Sequence, residues 1–209
     1  MNIILASTSP RRRELLALLG IPFEILPPPC EEIFSPDVRP SEQAKQFALD
    51  KAESIAKSHS EALVLGSDTV IEIGGSLLGK PKDLQEAETM LRQLRGHCHH
   101  VHTGLALIQK TKGLLIGLVE TAHVWIKPFS EDQLKAYLDT EESLGKAGAY
   151  SIQGEGAKLI DKIEGDYPTI VGLPLWHTAK LLERQGMRLG NSIEEIYRVK
   201  PYANWRDFS

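Results

Sequence analysis

Cysteine is scarce in this chain: Cys30 and Cys98 are its only two. Two cysteines do not make a disulfide framework, and nothing about them points to an oxidising compartment. Long apolar runs are missing as well. Segments such as Ile3–Ala6 and Ala62–Leu65 fall far short of the ~20 residues that span a bilayer, so no membrane partner is expected. Met1-Asn2 leads directly into a short apolar run without a basic segment or a long apolar stretch, so no secretory leader is expected, and the cytoplasm is the expected location. Positive charge is in deficit, with 24 Lys and Arg against 28 Asp and Glu and a formal net charge of −4. That balance argues against a duplex-binding protein that relies on bulk positive charge. Aromatics are few, at 6%, and do not interleave with a basic face, so no nucleic-acid partner is expected. Seventeen glycines and twelve prolines are ordinary and exclude fibrous and disordered classes.

What is present is a globular chain. At 209 residues, 42% of them apolar, it fits one domain or one bilobed domain, burying roughly 70% of the surface its unfolded form exposes. Strand and helix patterns alternate along it. Asn2–Ala6 reads as a strand, followed by a helix with Ser9 as N-cap and Pro10 in its first turn. A short strand at Phe23–Leu26 precedes an irregular proline-rich loop to Pro40. A helix over Ser41–Lys57, capped by Ser41, follows. Ala62–Leu65 and Val70–Ile73 read as strands separated by a bend at Gly66-Ser67-Asp68-Thr69, and Gly74-Gly75 marks a hairpin. Leu84–Leu94, Asp132–Leu138 and Pro174–Gln185 read as helices. Val101–Gln109, Leu114–Ile126 and Leu159–Glu164 read as strands. Adjacent strand pairs among the helices predict a mixed α/β sheet.

Four clusters carry candidate chemistry. Ser7-Thr8-Ser9-Pro10-Arg11-Arg12-Arg13 puts hydroxyls and arginines at a helix N-terminus. The helix dipole disfavours cations there, which a bound phosphate offsets; a capped surface helix with solvated arginines is the alternative. Asp68 lies at the end of a buried strand, where it can hold Mg²⁺ or activate water. A turn aspartate bonding its own backbone fits the residues equally well. Lys80, after Gly79, and Lys51, on the preceding helix, can reach an anion or remain solvated. Glu31 and Glu32 can add a metal ligand to Asp68 or form an acidic loop. The glycine-rich Gly145–Gly156 carries Lys146, Tyr150 and Gln153, whose amide can read a base edge; a bulged strand pair is the other reading of this segment. The run His97-Cys98-His99-His100-Val101-His102 resembles a zinc motif. On a strand, however, His100 and His102 share one face and His97 and His99 the other, and no second Cys/His cluster completes the set. The run therefore reads as exposed histidines where a strand begins.

In order, these stretches resemble the Maf family of nucleoside triphosphate pyrophosphatases. The matching segments are Leu5-Ala6-Ser7-Thr8-Ser9-Pro10-Arg11-Arg12, Gly66-Ser67-Asp68-Thr69 and Gly79-Lys80-Pro81-Lys82-Asp83. Two more are Lys146-Ala147-Gly148-Ala149-Tyr150-Ser151-Ile152-Gln153-Gly154 and Val171-Gly172-Leu173-Pro174-Leu175. The resemblance runs from Ile3 to Gln185. Thr8 and Ser67 depart slightly from the family pattern, and 190–209 lies beyond it as a C-terminal extension to a 1–189 domain.

The resemblance implies an elongated mixed sheet with flanking helices in two lobes around a cleft, related to inosine triphosphate pyrophosphatases. It implies hydrolysis of dTTP and UTP to the monophosphate plus diphosphate with a divalent cation, Mg²⁺ first and Mn²⁺ or Co²⁺ as substitutes. Asp68 is then the catalytic base, and Arg12, Thr69 and Gln153 set substrate choice. Ser9, Arg12, Lys51 and Lys80 hold phosphates, and Glu32 joins Asp68 at the metal. A homodimer is expected by analogy. The alternatives are a purine or modified nucleotide as substrate, or a non-catalytic role in blocking septum formation, with which Maf proteins are also associated. The aromatic tail (Tyr197, Tyr202, Trp205, Phe208) is expected to pack on the body or on a partner.

Overall fold

A computed structural model describes residues 2–208; residues 1 and 209, at the ends of the two expected segments, lie outside it. Its strands are β1 (Ile3–Ala6), β2 (Glu24–Leu26), β3 (Leu63–Ile73), β4 (Ser76–Leu78), β5 (Cys98–Gln109), β6 (Leu114–Ile126) and β7 (Ile160–Glu164). The helices are α1 (Pro10–Ala17), α2 (Pro40–Ala56), α3 (Leu84–Leu94), α4 (Glu131–Leu138), α5 (Tyr167–Val171), α6 (Leu175–Arg184), α7 (Ile193–Val199) and α8 (Ala203–Asp207). All seven strands join one sheet in the order β2-β1-β3-β5-β6-β7, with β4 paired to β3. β1 runs parallel to β2 and β3, and every other pairing is antiparallel. This is the mixed α/β sheet that the alternation of patterns predicts. No helix among the described residues is long and apolar enough to cross a membrane.

The sheet is covered on both faces, and strand alternation sorts its side chains between them. Ile4, Ala6, Val64, Ala106 and Ile108 pack against Ala48, Ala52 and Ile55 of α2. Ile3, Leu5, Leu65, Leu105 and Leu107 face the larger core, built with Leu15 and Leu16 of α1, Leu91 and Leu94 of α3 and Leu182 of α6. The α2 packing is unusually close because glycine occupies two sheet positions beneath it. A Cβ on Gly66 would stand 2.2 Å from the Ala48 carbonyl oxygen, and one on Gly104 would stand 2.1 Å from that of Ala44.

Two predicted boundaries move. α2 begins at Pro40, whose ring pre-sets the first helical φ, and the cap position falls to Arg39, which makes no side-chain cap bond; Ser41 is inside the helix. The bend expected at 66–69 is absent. β3 is one strand of eleven residues, paired to β5 without a break from Val64↔Ile108 to Glu72↔His100. Asp68 is thus a mid-strand residue opposite Gly104, and neither the strand-end nor the turn reading of it applies.

Candidate active site

The other edge of β3 is interrupted. β1 pairs with Leu63–Gly66 and β4 with Ile71–Ile73, which leaves residues 67–70 without a strand partner on that side. A cleft of about 530 Å³ opens at this gap, beyond the C-terminal end of β1, where open α/β sheets characteristically place ligands. Neighbouring residues on a strand face opposite ways, yet both Asp68 and Thr69 line the cleft because it wraps around an open edge. One wall comes from the start of α1 and the loop after β2. The opposite wall comes from Lys80 and the 145–153 loop.

Every site residue that the family resemblance implies lines this cleft (Ser9, Arg12, Glu32, Lys51, Asp68, Thr69, Lys80 and Gln153), whereas Arg13 and Glu31 do not. Five cationic side chains (Arg11, Arg12, Lys51, Lys80 and Lys146) meet two carboxylates there, in a chain whose overall charge is negative. Burial, with the charge of Arg12 added for Arg11 and that of Arg11 for Lys146, pushes both below their ordinary proton affinities. Burial does the same to Arg12, against the pull of Asp68 and Glu32. The cleft is therefore short of negative charge, as a site built for a polyanion is. The helix N-terminus adds its partial positive charge, with Ser9 Oγ accepting from the Arg12 amide at 3.5 Å.

The two carboxylates are brought together by one lysine. Lys51, 8% exposed, donates to Asp68 Oδ1 and, at 2.6 Å, to Glu32 Oε1. The close seat of α2 on Gly66 and Gly104 carries Lys51 to that position. Asp68 is 4% exposed, and its Oδ2 is buried without a hydrogen-bond partner among the described residues. Burial raises its proton affinity, against the opposing charges of Arg12 and Lys51. Glu32 also suffers from burial, but its bond to Lys51 and the charges of Lys51, Lys80 and Arg12 hold it below the usual carboxylate range. An orphaned, buried carboxylate oxygen beside a second ionised carboxylate is a hard oxygen donor set, and it fits a divalent cation of the Mg²⁺ type.

Arg12 is fixed by a relay. Its Nε donates to the Gly172 carbonyl at 2.8 Å and its Nη2 to Thr69 Oγ1 at 3.2 Å. Thr69 Oγ1 lies 3.0 Å from Thr103 Oγ1, and Thr103 Oγ1 donates to the Thr169 carbonyl at 2.7 Å. Thr103 has one proton and the carbonyl must receive it, so Thr69 donates to Thr103 and accepts from Arg12. The fully buried Ser67 Oγ has one proton for two carbonyls, that of Gly104 at 2.8 Å and that of Gly172 at 3.0 Å. Thr103, Thr169 and α5 are parts of the site that the sequence reading missed. The Asp166 cap of α5, which accepts from the Thr169 amide at 3.1 Å, is the local signal that marks that helix.

The 145–156 segment contains two short 3₁₀ turns rather than a strand pair. Glu142 holds its far end by accepting from the amides of Glu155 (2.8 Å) and Gly156 (3.0 Å). Gly148 N–H donates to the Gly79 carbonyl at 3.0 Å and ties this loop to the one bearing Lys80. The tail packs on the body near the same wall. Asn204 donates to the Ile152 carbonyl at 2.8 Å, and Trp205 stacks on Tyr167 at 5.6 Å between centroids. Tyr197 donates to Asp166 at 2.8 Å.

The histidine run departs from its expected exposure. β5 starts at Cys98, so His97 precedes it and is exposed, whereas His99 and His102 are buried. His99 meets Tyr150 Oη at 2.8 Å, and burial, with His100 adding, pushes its pKa down to about 3. None of these histidines lines the cleft.

The family model described as Maf-like protein matches residues 2–185. A dTTP/UTP pyrophosphatase of Thermoanaerobacter sp. (strain X514) is 44% identical over 186 residues, covering 88% of this chain and 97% of that protein. A protein of the same name from Syntrophus aciditrophicus (strain SB) is 45% identical over 185 residues, covering 88% and 90%. Among solved structures, a HAM1 protein from Coxiella burnetii aligns with a TM-score of 0.49 at 15% identity, covering 88% of this chain and 99% of that one. The matched segment contains every cleft residue named above, and with identity of this order along nearly the whole of each relative, the chain belongs to the Maf family.

Proposed function

We propose that this chain is a nucleoside triphosphate pyrophosphatase that hydrolyses dTTP and UTP to the monophosphate and diphosphate. The observation that carries the reading is the concentration of five cations around two carboxylates in one cleft of an acidic Maf chain. Relatives named dTTP/UTP pyrophosphatase supply the substrate class.

In this reading Asp68 is the general base. Its buried carboxylate takes a proton from the attacking water, which forms the new bond to the α-phosphorus as the bond from that phosphorus to the bridging oxygen breaks. The leaving diphosphate is received by Arg12, Lys51, Lys80 and the Ser9 hydroxyl at the start of α1, which offset the charge developing on it. Asp68 and Glu32 are the residues that hold a divalent cation, Mg²⁺ foremost, which when bound neutralises phosphate charge. Gln153 reads the base: its amide NH₂ donates to O4 of uracil or thymine and its carbonyl accepts from N3–H. Thr69, whose proton is committed to Thr103, acts through Arg12, whose Nη2 it holds in the same cleft. Cytosine reverses the donor and acceptor pattern and leaves the Gln153 amide, in that orientation, unpaired.

The test is diphosphate release from a panel of nucleoside triphosphates with Mg²⁺, with Asp68→Asn alongside. Release from dTTP and UTP, and its loss in Asp68→Asn with nucleotide binding retained, is the expected result. No release from any triphosphate with Mg²⁺, Mn²⁺ or Co²⁺ overturns the reading.

A further inference from the structure

The fold completes, from a distant part of the chain, a ligand set that the histidine run lacks. Glu72 on β3 pairs directly with His100 on β5, and His100 in turn pairs with His123 on β6, so one rung of the sheet presents Glu, His and His side by side. His102, two residues along β5, faces the same side. The ligating atoms of Glu72, His100 and His102 all lie within 4.8 Å of one another, and this is the one such group among the described residues. The cluster sits on the α2 face of the sheet: His102 pairs directly with Val70, where Phe47 of α2 packs, and Glu72 and His100 pair two residues further along. None of its members lines the cleft.

We propose that Glu72, His100 and His102 form a second divalent-metal site, separate from the catalytic cleft and selective for a borderline ion such as Zn²⁺. Two imidazoles and one carboxylate around a fourth open position are a zinc donor set, whereas the all-oxygen pair in the cleft suits Mg²⁺. The geometry is close to what zinc requires. Ligand atoms about 2.0–2.1 Å from a tetrahedral ion stand about 3.3 Å apart. His102 Nε2 is already 3.5 Å from Glu72 Oε2. His100 Nδ1 is 2.6 Å from the same oxygen, so that contact opens by less than 1 Å to admit the ion.

Each of two ligands is also aimed from behind, as metal ligands usually are. Thr121 Oγ1, 2.8 Å from His102 Nδ1, occupies that nitrogen and leaves Nε2 for the metal. The Gly75 amide donates to Glu72 Oε1 at 2.8 Å and leaves Oε2 turned toward the two histidines. The site bridges β3 and β5, and a bound ion clamps the tip of the β3–β4 hairpin to the sheet. The hydrolytic reading of the cleft has no bearing on this inference.

The experiment is a zinc titration of tag-free, chelator-stripped full-length protein, followed by calorimetry with Zn²⁺ alone as the probe and by thermal melting. One saturable equivalent is expected, with the midpoint of unfolding rising by about 5–10 °C at a hundredfold excess over Kd. Glu72→Gln and His100→Ala each lower the affinity at least 10-fold, in line with loss of a first ligand. His97→Ala and Asp68→Asn leave it within twofold. Glu72→Gln keeps side-chain shape and an oxygen for the Gly75 amide, so its loss of binding is not a loss of fold. Absence of saturable binding overturns the proposal. So does binding that survives Glu72→Gln but is lost in His97→Ala, which assigns zinc to the bare histidine run, or binding lost in Asp68→Asn, which assigns it to the cleft.

Discussion

Lys51 bridges two carboxylates, donating to Asp68 Oδ1 and to Glu32 Oε1 from a position almost closed to solvent. The ammonium favours the ionised form of the proposed base, but burial outweighs it and Arg12 together, so the net shift of Asp68 is upward. A base must be deprotonated to act, so turnover is lost as pH falls through the Asp68 pKa, and that pKa lies above the ordinary aspartate value. Lys51→Met removes one of the two positive charges opposing the shift. The acid limb of kcat/KM is expected to move upward by about one pH unit or more. A pH–rate profile of wild type and variant on UTP checks this, and an unmoved limb would sink it.

Gly66 and Gly104 set the depth at which α2 lies on the sheet, and through it the reach of Lys51. An alanine at either place drives a Cβ into a backbone carbonyl, which cannot rotate away as a side-chain end can. Gly66→Ala and Gly104→Ala are expected to cost about 1–3 kcal/mol of stability each, as overpacking does. Both are also expected to lower kcat more than KM, because the base and its lysine separate while the phosphate cradle on α1 stays. Urea unfolding together with steady-state kinetics separates the two effects. Gly117→Ala is the control: its Cβ meets only the end of the flexible Leu49 side chain, at 3.1 Å.

The relay from Arg12 through Thr69 and Thr103 predicts a difference between near-isosteres. Thr69→Val deletes the acceptor for Arg12 Nη2 and the donor to Thr103, and Thr69→Ser keeps both. A charge-assisted hydrogen bond contributes about 1.5–3 kcal/mol, so kcat/KM for UTP is expected to fall roughly 10- to 100-fold in Thr69→Val and little in Thr69→Ser. Arg12→Lys is expected to resemble the valine variant, since a point charge cannot reach the Gly172 carbonyl and Thr69 in a fixed fork. Kinetics on UTP and CTP for the three variants test it, and equal losses in Thr69→Val and Thr69→Ser would show that the hydroxyl is not the operative group.

Much of this site is legible in the sequence because its residues carry local signals. Ser9 and Pro10 announce the start of α1, and Asp83 that of α3, and both helices begin where those residues place them. Asp68, Thr69, Lys80 and Gln153 sit in short motifs that together carry the family resemblance, and the resemblance rather than the residue types alone marks them as site residues. What resisted reading was set by pairing across the sheet. Gly66-Ser67-Asp68-Thr69 has the composition of a bend, but Val64 to Glu72 forms an unbroken ladder with β5, and long-range hydrogen bonds override local turn propensity. Glu72 likewise gives no hint of its histidine neighbours, because 28 residues separate it from His100 and only the register brings them together. The relay through Thr103 and Thr169 is invisible for the same reason.

The tail beyond the Maf match supports the wall that carries Gln153. Asn204 holds the carbonyl of Ile152, the residue before Gln153, and Trp205, 3% exposed, stacks on Tyr167 in the helix whose Thr169 carbonyl ends the Arg12 relay. Two substitutions separate these contacts. Asn204→Ala loses a hydrogen bond of about 1 kcal/mol and is expected to raise KM for UTP by roughly fivefold, with kcat retained and the melting midpoint little changed. Trp205→Ala removes a buried ring and is expected to cost about 3 kcal/mol of stability. Its kinetic effect falls on discrimination between UTP and CTP, because α5 carries the end of the relay that orients Thr69. Thermal melts and substrate panels on both variants check this. Wild-type KM in Asn204→Ala would mean that the loop keeps its shape without the tail, and wild-type discrimination in Trp205→Ala would confine the stacked pair to stability alone.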